Sequence, residues 1–341
     1  MHLTPIVVKK VVSLRDLMGR SLGIDASIYL HEFLSLIRKP DGTPLTNRRG
    51  EVTSHLVGLA FRTTRLLTDY HIRTVFVFDG VPPLLKREEI DVRRAQRMKA
   101  EDEWRKALEA GDLSAAFSKA VMTGRLTRVM VDDAKHLLGL LGIPWVQALG
   151  EAEAQAAHMA MRGDVWASAS KDYDSLLFGT PRLVRYVTIG GREFLPSKGT
   201  ARRLEPEIID LHEFLGQYGL TRAQLVDLAI LVGTDFNRGI RGIGPKTALK
   251  LIKAHGSLEG LPPEMGGKLP ANVDEIRRIF LEPEVSDDYA VRWGNLNEEE
   301  LYRFLCDEQG FSESRVRVLV DRMKSFFAQA SMEAWTEGVK R

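Results

Sequence analysis

Seven acids fall where a protein would gather ligands for a hard cation. Asp25 follows the apolar run Ser21 to Ile24, Asp79 follows Thr74 to Phe78, and Asp172 with Asp174 follows Asp164 to Ala169. Three separate runs thus each end on an acid. Glu151 and Glu153 open the helical stretch EAEAQAAHMAM, where residues two apart converge if the first belongs to the opening turn. Asp235 closes the helix AQLVDLAILVG, where a carboxylate opposes the helix dipole unless a cation lies nearby. Magnesium takes oxygen ligands, keeps several waters and needs few direct carboxylates. Two such ions about 4 Å apart activate a water and stabilise the leaving oxygen of a phosphodiester. The implied chemistry is phosphodiester hydrolysis. Any one of these acids reads equally well as a turn former or helix cap. The seven together do not, because an unneutralised cluster repels itself. A phosphatase with an aspartyl nucleophile would want Asp-x-Asp after an early strand, whereas Ala26 and Ser27 follow Asp25.

Phosphate-binding elements accompany the acids. The segment from Gly239 to Ser257, GIRGIGPKTALKLIKAHGS, reads as a helix-hairpin-helix whose second helix opens at Pro245. Gly242 and Gly244 let the main chain approach a phosphate, and free amides at a helix start favour an anion. Lys246, Lys250 and Lys253 add attraction to any phosphate, whatever the base. Hairpin carbonyls are also candidate ligands for a potassium ion. A basic run, Lys86, Arg87, Arg93, Arg94, Arg97 and Lys99, is interleaved with Glu88, Glu89 and Asp91, so a salt-bridged solvated helix competes with a DNA-facing one. Lys86 and Arg93 share one helical face and are the pair expected to reach the scissile phosphate. Tyr29 and His31 follow Asp25; an aromatic there could stack on a frayed base, and Tyr29 reads equally as a core residue.

The elements that must position these residues are short buried strands alternating with helices, a pattern that implies a mostly parallel sheet wrapped by helices. Such sheets bind ligands beyond the carboxyl ends of their strands. Helical spacing covers His55 to Tyr70 and Met130 to Leu141, the latter stopped by Gly142 and Pro144. Residues 84–130 read as a charged helical insertion, and Pro181 to Glu207 as strand-turn-strand with an arginine-rich exposed edge. Thr221 and Gln224 form a capping box. From Gly256 onward the chain reads as helical and polar, and its last dozen residues as a tail.

Composition bounds the rest. With 341 residues, 44% of them hydrophobic, the chain can build a sizeable core. Its 48 basic and 46 acidic residues nearly cancel, so any field comes from segregation of charge. The single cysteine, Cys306, excludes an internal disulfide and a cysteine-rich zinc site. No signal-like stretch and no membrane-length apolar run is present, so an intracellular, non-membrane protein is expected.

The strings GIDAS, TSHL, VFVFDGVPP, GEAEAQAA, KDYDSLLFG, LVGTDF and RGIGPKTALKLI occur in an order that resembles the archaeal and eukaryotic flap structure-specific endonucleases, within the metal-dependent 5′ nucleases. The resemblance runs nearly end to end. It implies an α/β fold with a PIN-like core, a helical arch through which a 5′ flap threads, and a hairpin gripping duplex DNA. It implies a single nuclease domain over 1–330, with core at 1–83 and 131–235, arch at 84–130, hairpin at 236–260 and a C-terminal helical part at 261–330. It implies two magnesium ions, replaceable by manganese, held by Asp25, Asp79, Glu151, Glu153, Asp172, Asp174 and Asp235. Lys86 and Arg93 correspond to arch cations, with Arg94 beside them. Arg62 corresponds to a duplex contact, as do Gly242, Gly244, Lys246, Thr247 and Lys250 at the hairpin. His31 stands where the family carries a base-stacking tyrosine. Gln329, Met332 and Trp335, in a tail spanning 329–341, resemble a sliding-clamp peptide with Thr336 in place of its second aromatic; a helix end with a surface tryptophan is the alternative. The implied reaction leaves a 5′-phosphate and a 3′-hydroxyl and serves Okazaki-fragment maturation and DNA repair, by a monomer acting on flaps, nicks or gaps. A non-catalytic junction-binding factor and a related 5′ exonuclease or repair-incision nuclease are the competing functions. The expected compartment is the nucleus, or the cytoplasm of a cell without one.

Overall fold

A computed structural model describes residues 3–187, 192–195 and 200–339, the side chains of 192–195, 200–203 and 330–339 excepted. Its main sheet contains seven strands. In chain order the strands are β1 (Lys10–Val11), β2 (Ser21–Asp25), β3 (Arg73–Phe78), β4 (Trp145–Gln147), β5 (Ala167–Ala169), β6 (Arg182–Arg185), β7 (Arg192–Leu195), β8 (Thr200–Arg203) and β9 (Glu207–Asp210). The order across the sheet is β1-β9-β6-β5-β2-β3-β4, and β7 pairs with β8 separately. The run β6-β5-β2-β3-β4 is parallel, while β9 is antiparallel to both β6 and β1. Asp25 lies opposite Val77 and Ile24 opposite Ala169, so β2, β3 and β5 finish at one edge of the sheet. Leu22, Ile24, Phe76 and Phe78 enter one core while Val75 and Val77 enter another, which is why these strands read as continuous apolar runs.

The helices are α1 (Ala26–Leu36), α2 (Ser54–Val57), α3 (Thr64–Thr68), α4 (Arg87–Glu109), α5 (Leu113–Ala120), α6 (Arg128–Leu140), α7 (Ala152–Arg162), α8 (Asp174–Leu177), α9 (Leu211–Tyr218), α10 (Arg222–Val232), α11 (Pro245–His255), α12 (Pro263–Gly266), α13 (Val273–Leu281), α14 (Glu298–Tyr302) and α15 (Glu313–Val339). The stretch expected as one helix over His55 to Tyr70 is α2 and α3 joined through a π-helical segment, Gly58–Thr63. The capping box of Thr221 and Gln224 opens α10 as its spacing requires. Helices α4 and α5 form an antiparallel hairpin, joined by Lys119 and Glu103 at 2.7 Å and docked where Trp104 Nε1 donates to the Asp41 carbonyl at 3.1 Å. No helix among the described residues is long and apolar enough to cross a membrane.

Several sequence expectations change. The strand expected over Asp164 to Ala169 begins only at Ala167, because Gly163 ends α7 in a left-handed conformation and the chain must first turn. The segment Pro181 to Glu207 yields three strands, β6 to β8, and the first residue of β9 instead of two strands, and Arg185 on β6 is 6% exposed between β5 and β9, not on an open edge. Asp235 does not close α10: the helix ends at Val232, and Asp235 sits in a turn closed by the Thr234–Asn237 bridge. The C-terminal region is not merely polar, since Leu301, Phe304, Leu305, Val316, Leu319 and Met323 complete the largest core. Its last dozen residues, expected as a tail, continue the helical backbone of α15 as far as Val339, since no proline interrupts the run.

Candidate active site

Two loops at the carboxyl edge are zipped together. Gly80 donates its amide to the Gly150 carbonyl at 2.7 Å and Val81 to that of Leu149 at 2.9 Å. A Cβ at Gly80 would lie 2.1 Å from the Leu149 oxygen, so only glycine permits this approach. Asp79, just before it, is thereby held against the start of α7, where its Oδ1 accepts the Ala152 amide at 2.8 Å and its Oδ2 accepts from Ser27 Oγ at 2.5 Å. Glu151 occupies the N-cap position without a capping hydrogen bond, and its carboxylate is spent elsewhere. Asp25 caps α1 through the Ile28 amide at 3.1 Å. Glu153 accepts from Ser175 Oγ at 3.1 Å, and the Asp172 amide is fixed by Ser170 Oγ at 3.1 Å.

Asp25, Asp79, Glu151, Glu153, Asp172 and Asp235 share the wall of one cavity of about 730 Å³, with His31, Lys86 and Arg93. Asp174 is buried beside Glu153 and Asp172, close enough to repel both. Burial, then Asp79, raises the pKa of Asp25 well above the carboxylate range. Burial, then Asp174, Asp172 and Asp25, does the same to Glu153. Burial leads again at Asp174, pushed up to about 6. Burial also raises Glu151, against the opposing charge of Lys86.

The cations come from α4 and the turn that precedes it. Lys86 bonds Glu151 and lies 3.5 Å from Asp235, while Arg93 Nη2 lies 3.4 Å from the same oxygen. Burial alone would lower the pKa of Lys86, but Glu151, Asp235 and Asp79 outweigh it and raise the value. Arg97 also lines the cavity, whereas Arg94 is exposed and absent from the wall. The helical repeat of Lys86, Arg93 and Arg97 was the sequence signal that separates these two arginines. Lys171 and Glu32, paired at 2.8 Å on the same wall, carried no comparable signal beyond Lys171's place before Asp172.

His31 opens onto the cavity yet is crowded by protein; that burial, then Arg97 and Arg93, lower its pKa. Tyr29 takes the core role, donating its hydroxyl to the Val187 carbonyl at 2.6 Å with Phe33 and Phe76 edge-on. Arg62 lines a separate small crevice with Tyr29 and Leu66.

At the hairpin, Gly242 is left-handed with φ +86°, Gly244 is the N-cap of α11, and Pro245 is its first residue. Ala248, Leu249 and Ile252 face the core, which leaves Lys246, Thr247, Lys250 and Lys253 exposed on the other face. Arg238 before the hairpin pairs with Glu88 of the arch. Gln329 is exposed on α15; the side chains of Met332 and Trp335 lie outside the described residues.

Among the described residues no group of three or more His, Cys, Asp or Glu side chains is arranged so that it could hold a metal ion. The chemistry of the donor set nevertheless suits a hard divalent cation: its atoms are carboxylate oxygens, and the buried acids Asp25 and Glu153 still repel their carboxylate neighbours although Lys86 offsets part of that at Asp25. A cation that keeps its waters needs no closed cage.

Comparison with known proteins places the chain in a family. Residues 2–100 match the XPG N-terminal domain and residues 142–235 the XPG I-region. Flap endonuclease 1 of Methanosarcina barkeri is 45% identical over 329 residues, covering 96% of this chain and 97% of that protein. Flap endonuclease 1 of Pyrococcus abyssi is 45% identical over 336 residues, covering 97% of this chain and 96% of that one. The solved structure of flap endonuclease-1 from Methanococcus jannaschii superimposes with TM-score 0.74 at 38% identity, covering 96% of this chain and 99% of that one. The catalytic core of Rad2, at 24% identity and TM-score 0.69 over 94% of this chain and 97% of that one, shares the fold. The chain therefore belongs to the flap endonuclease family of structure-specific, DNA-cleaving nucleases.

Proposed function

We propose that this flap endonuclease hydrolyses a phosphodiester near the single-strand/duplex junction of branched DNA, a 5′ flap, nick or gap, leaving a 5′-phosphate and a 3′-hydroxyl. The observation that carries the proposal is the meeting of carboxylates from β2, β3, α7, the 171–174 loop and the turn after α10 on one cavity wall, facing Lys86 and Arg93 of the arch. Asp25, Asp79, Glu151, Glu153, Asp172, Asp174 and Asp235 are the proposed holders of two magnesium ions, with manganese able to replace them. When bound, such ions supply positive charge to the phosphate and an activated water.

This chain's own residues do the remaining work. Asp79 holds the start of α7 so that Glu151 and Glu153 point inward. Lys86 and Arg93 present fixed positive charge where a scissile phosphate meets the carboxylates, and stabilise the charge it gains in reacting. Gly242, Gly244, Lys246, Thr247 and Lys250 grip duplex phosphates, with potassium at the hairpin carbonyls, and Arg62 adds a further contact. His31 stacks on a base at the junction, and Arg94 steers the single strand. Since these contacts address phosphate and shape, substrate choice follows structure rather than sequence. The end of α15, through Gln329, Met332 and Trp335, is the proposed docking segment for a sliding clamp. The enzyme is proposed to act as an intracellular monomer of one nuclease domain.

The test is a labelled 5′-flap duplex incubated with magnesium. The intact chain should cut it near the junction, and Asp172→Ala should abolish cutting while binding the flap. Binding without cutting by the intact chain would overturn the proposal, and equal loss of binding and cutting in the variant would move Asp172 from chemistry to folding.

A further inference from the structure

Asp172 and Asp174 alternate with two residues that are anchored elsewhere. Lys171 is held by Glu32 at 2.8 Å, and its carbonyl accepts from Arg185 Nε at 2.9 Å. The Tyr173 ring lies 3.9 Å from the Arg185 guanidinium, and its hydroxyl oxygen accepts from Arg185 Nη1 at 2.5 Å. Arg185 also donates to Glu207 Oε2 at 3.2 Å and to the Tyr186 hydroxyl at 2.7 Å. Tyr186 adopts a left-handed backbone, φ +60°, and its ring centroid lies 4.5 Å from the same guanidinium. The network continues from Tyr173 to Thr4 Oγ1 at 2.9 Å and from Glu207 to Lys9 at 2.5 Å.

A buried guanidinium is a poor device for stability alone, because its desolvation offsets most of what its bonds return, and an apolar side chain of like volume serves as well. An apolar side chain could not hold a carbonyl and a phenol oxygen of one loop in fixed directions. The planar fork of arginine does that, and a lysine does so only in part.

We propose that Arg185 is a positioning residue for the metal site: it fixes the 171–174 loop, and with it the directions in which Asp172 and Asp174 present their carboxylates. The proposal rests on the assignment of those two acids to metal binding.

The experiment uses the full chain and four readouts: manganese titration by calorimetry without DNA, flap-duplex affinity in chelator, the melting transition in chelator as a check of folding, and single-turnover cutting against metal concentration. Arg185→Lys should bind manganese roughly tenfold more weakly, the size expected for a residue behind a ligand, with flap affinity in chelator within about twofold of the unsubstituted chain. Its single-turnover cutting should fall at limiting metal and recover as metal is raised. Tyr173→Phe, which loses one hydroxyl, should shift manganese binding in the same direction by less, and it decides the matter if Arg185→Lys does not fold. Unchanged manganese binding in the folded variants, or a loss of flap affinity in chelator as large as the loss of metal affinity, overturns the proposal. Asp172→Asn separates it from the site assignment. If that variant binds manganese like the unsubstituted chain, the assignment fails and the proposal with it. If it loses binding while the Arg185 and Tyr173 variants keep theirs, positioning alone fails.

Discussion

Asp79 accepts the backbone amide of Ala152 at 2.8 Å, so α7 is capped by an acid from the end of β3 and not by its own N-cap residue, Glu151. One carboxylate thus frees another for the cavity.

Asp79→Asn keeps an oxygen for the Ala152 amide and removes the charge, so it should melt near the unsubstituted temperature while losing cleavage. Asp79→Ala removes both and should also lose about 1 kcal/mol of stability. Denaturant unfolding beside a flap-cutting assay separates the two effects. Equal stability of the variants would show that the cap contributes nothing.

Asp174 has a pKa of about 6 in the folded chain, above its unfolded value, so above that pH its charge costs stability and the cost fades as pH falls through about 6. In chelator at pH 7.5, Asp174→Asn should therefore melt higher than the unsubstituted chain, and the gap should narrow as pH falls below about 6 and close only near the unfolded carboxylate value of 3.8. Cleavage should be lost at every pH. A gap independent of pH would contradict this account.

His55 is fully buried on α2 with neither ring nitrogen hydrogen-bonded, and burial lowers its pKa to about 4. Its contribution is present above the unfolded value near 6.5 and is lost as pH falls toward 4, a change of roughly 3 kcal/mol. His55→Phe, whatever its stability at neutral pH, should lose less over that interval when followed by chemical denaturation.

Lys246 and Lys250 project from the exposed face of α11. Changing both to Ala should weaken duplex binding alike for unrelated sequences and flatten the slope of log affinity against log salt by about 2. An unchanged slope would remove these lysines from the phosphate contacts.

The strand-end acids and the hairpin were legible because their signals are local. An apolar run that stops at an acid reports a strand end, and Gly242 with Pro245 reports a left-handed turn followed by a helix start. From sequence Arg94 is expected beside Lys86 and Arg93, whereas it is Arg97 that lines the cavity: the helical repeat defines the face, but the docking of α4 and α5 decides that this face meets the cavity. Asp235 was assigned to a helix end because the apolar pattern runs into Gly233, and pattern alone does not register where the backbone leaves the helix.

By itself the sequence determined the parallel order of strand and helix, the acids that follow β2, β3 and β5, and the glycine-rich turn before α11, since each follows from backbone preference or side-chain period within a few residues. Only the tertiary structure decided that Asp79 caps α7, that Lys171 pairs with Glu32, and that Arg185 leaves the surface to hold the loop of Asp172 and Asp174. Those contacts join residues far apart in the chain, and sheet register with helix rotation, not local propensity, sets which side chains meet.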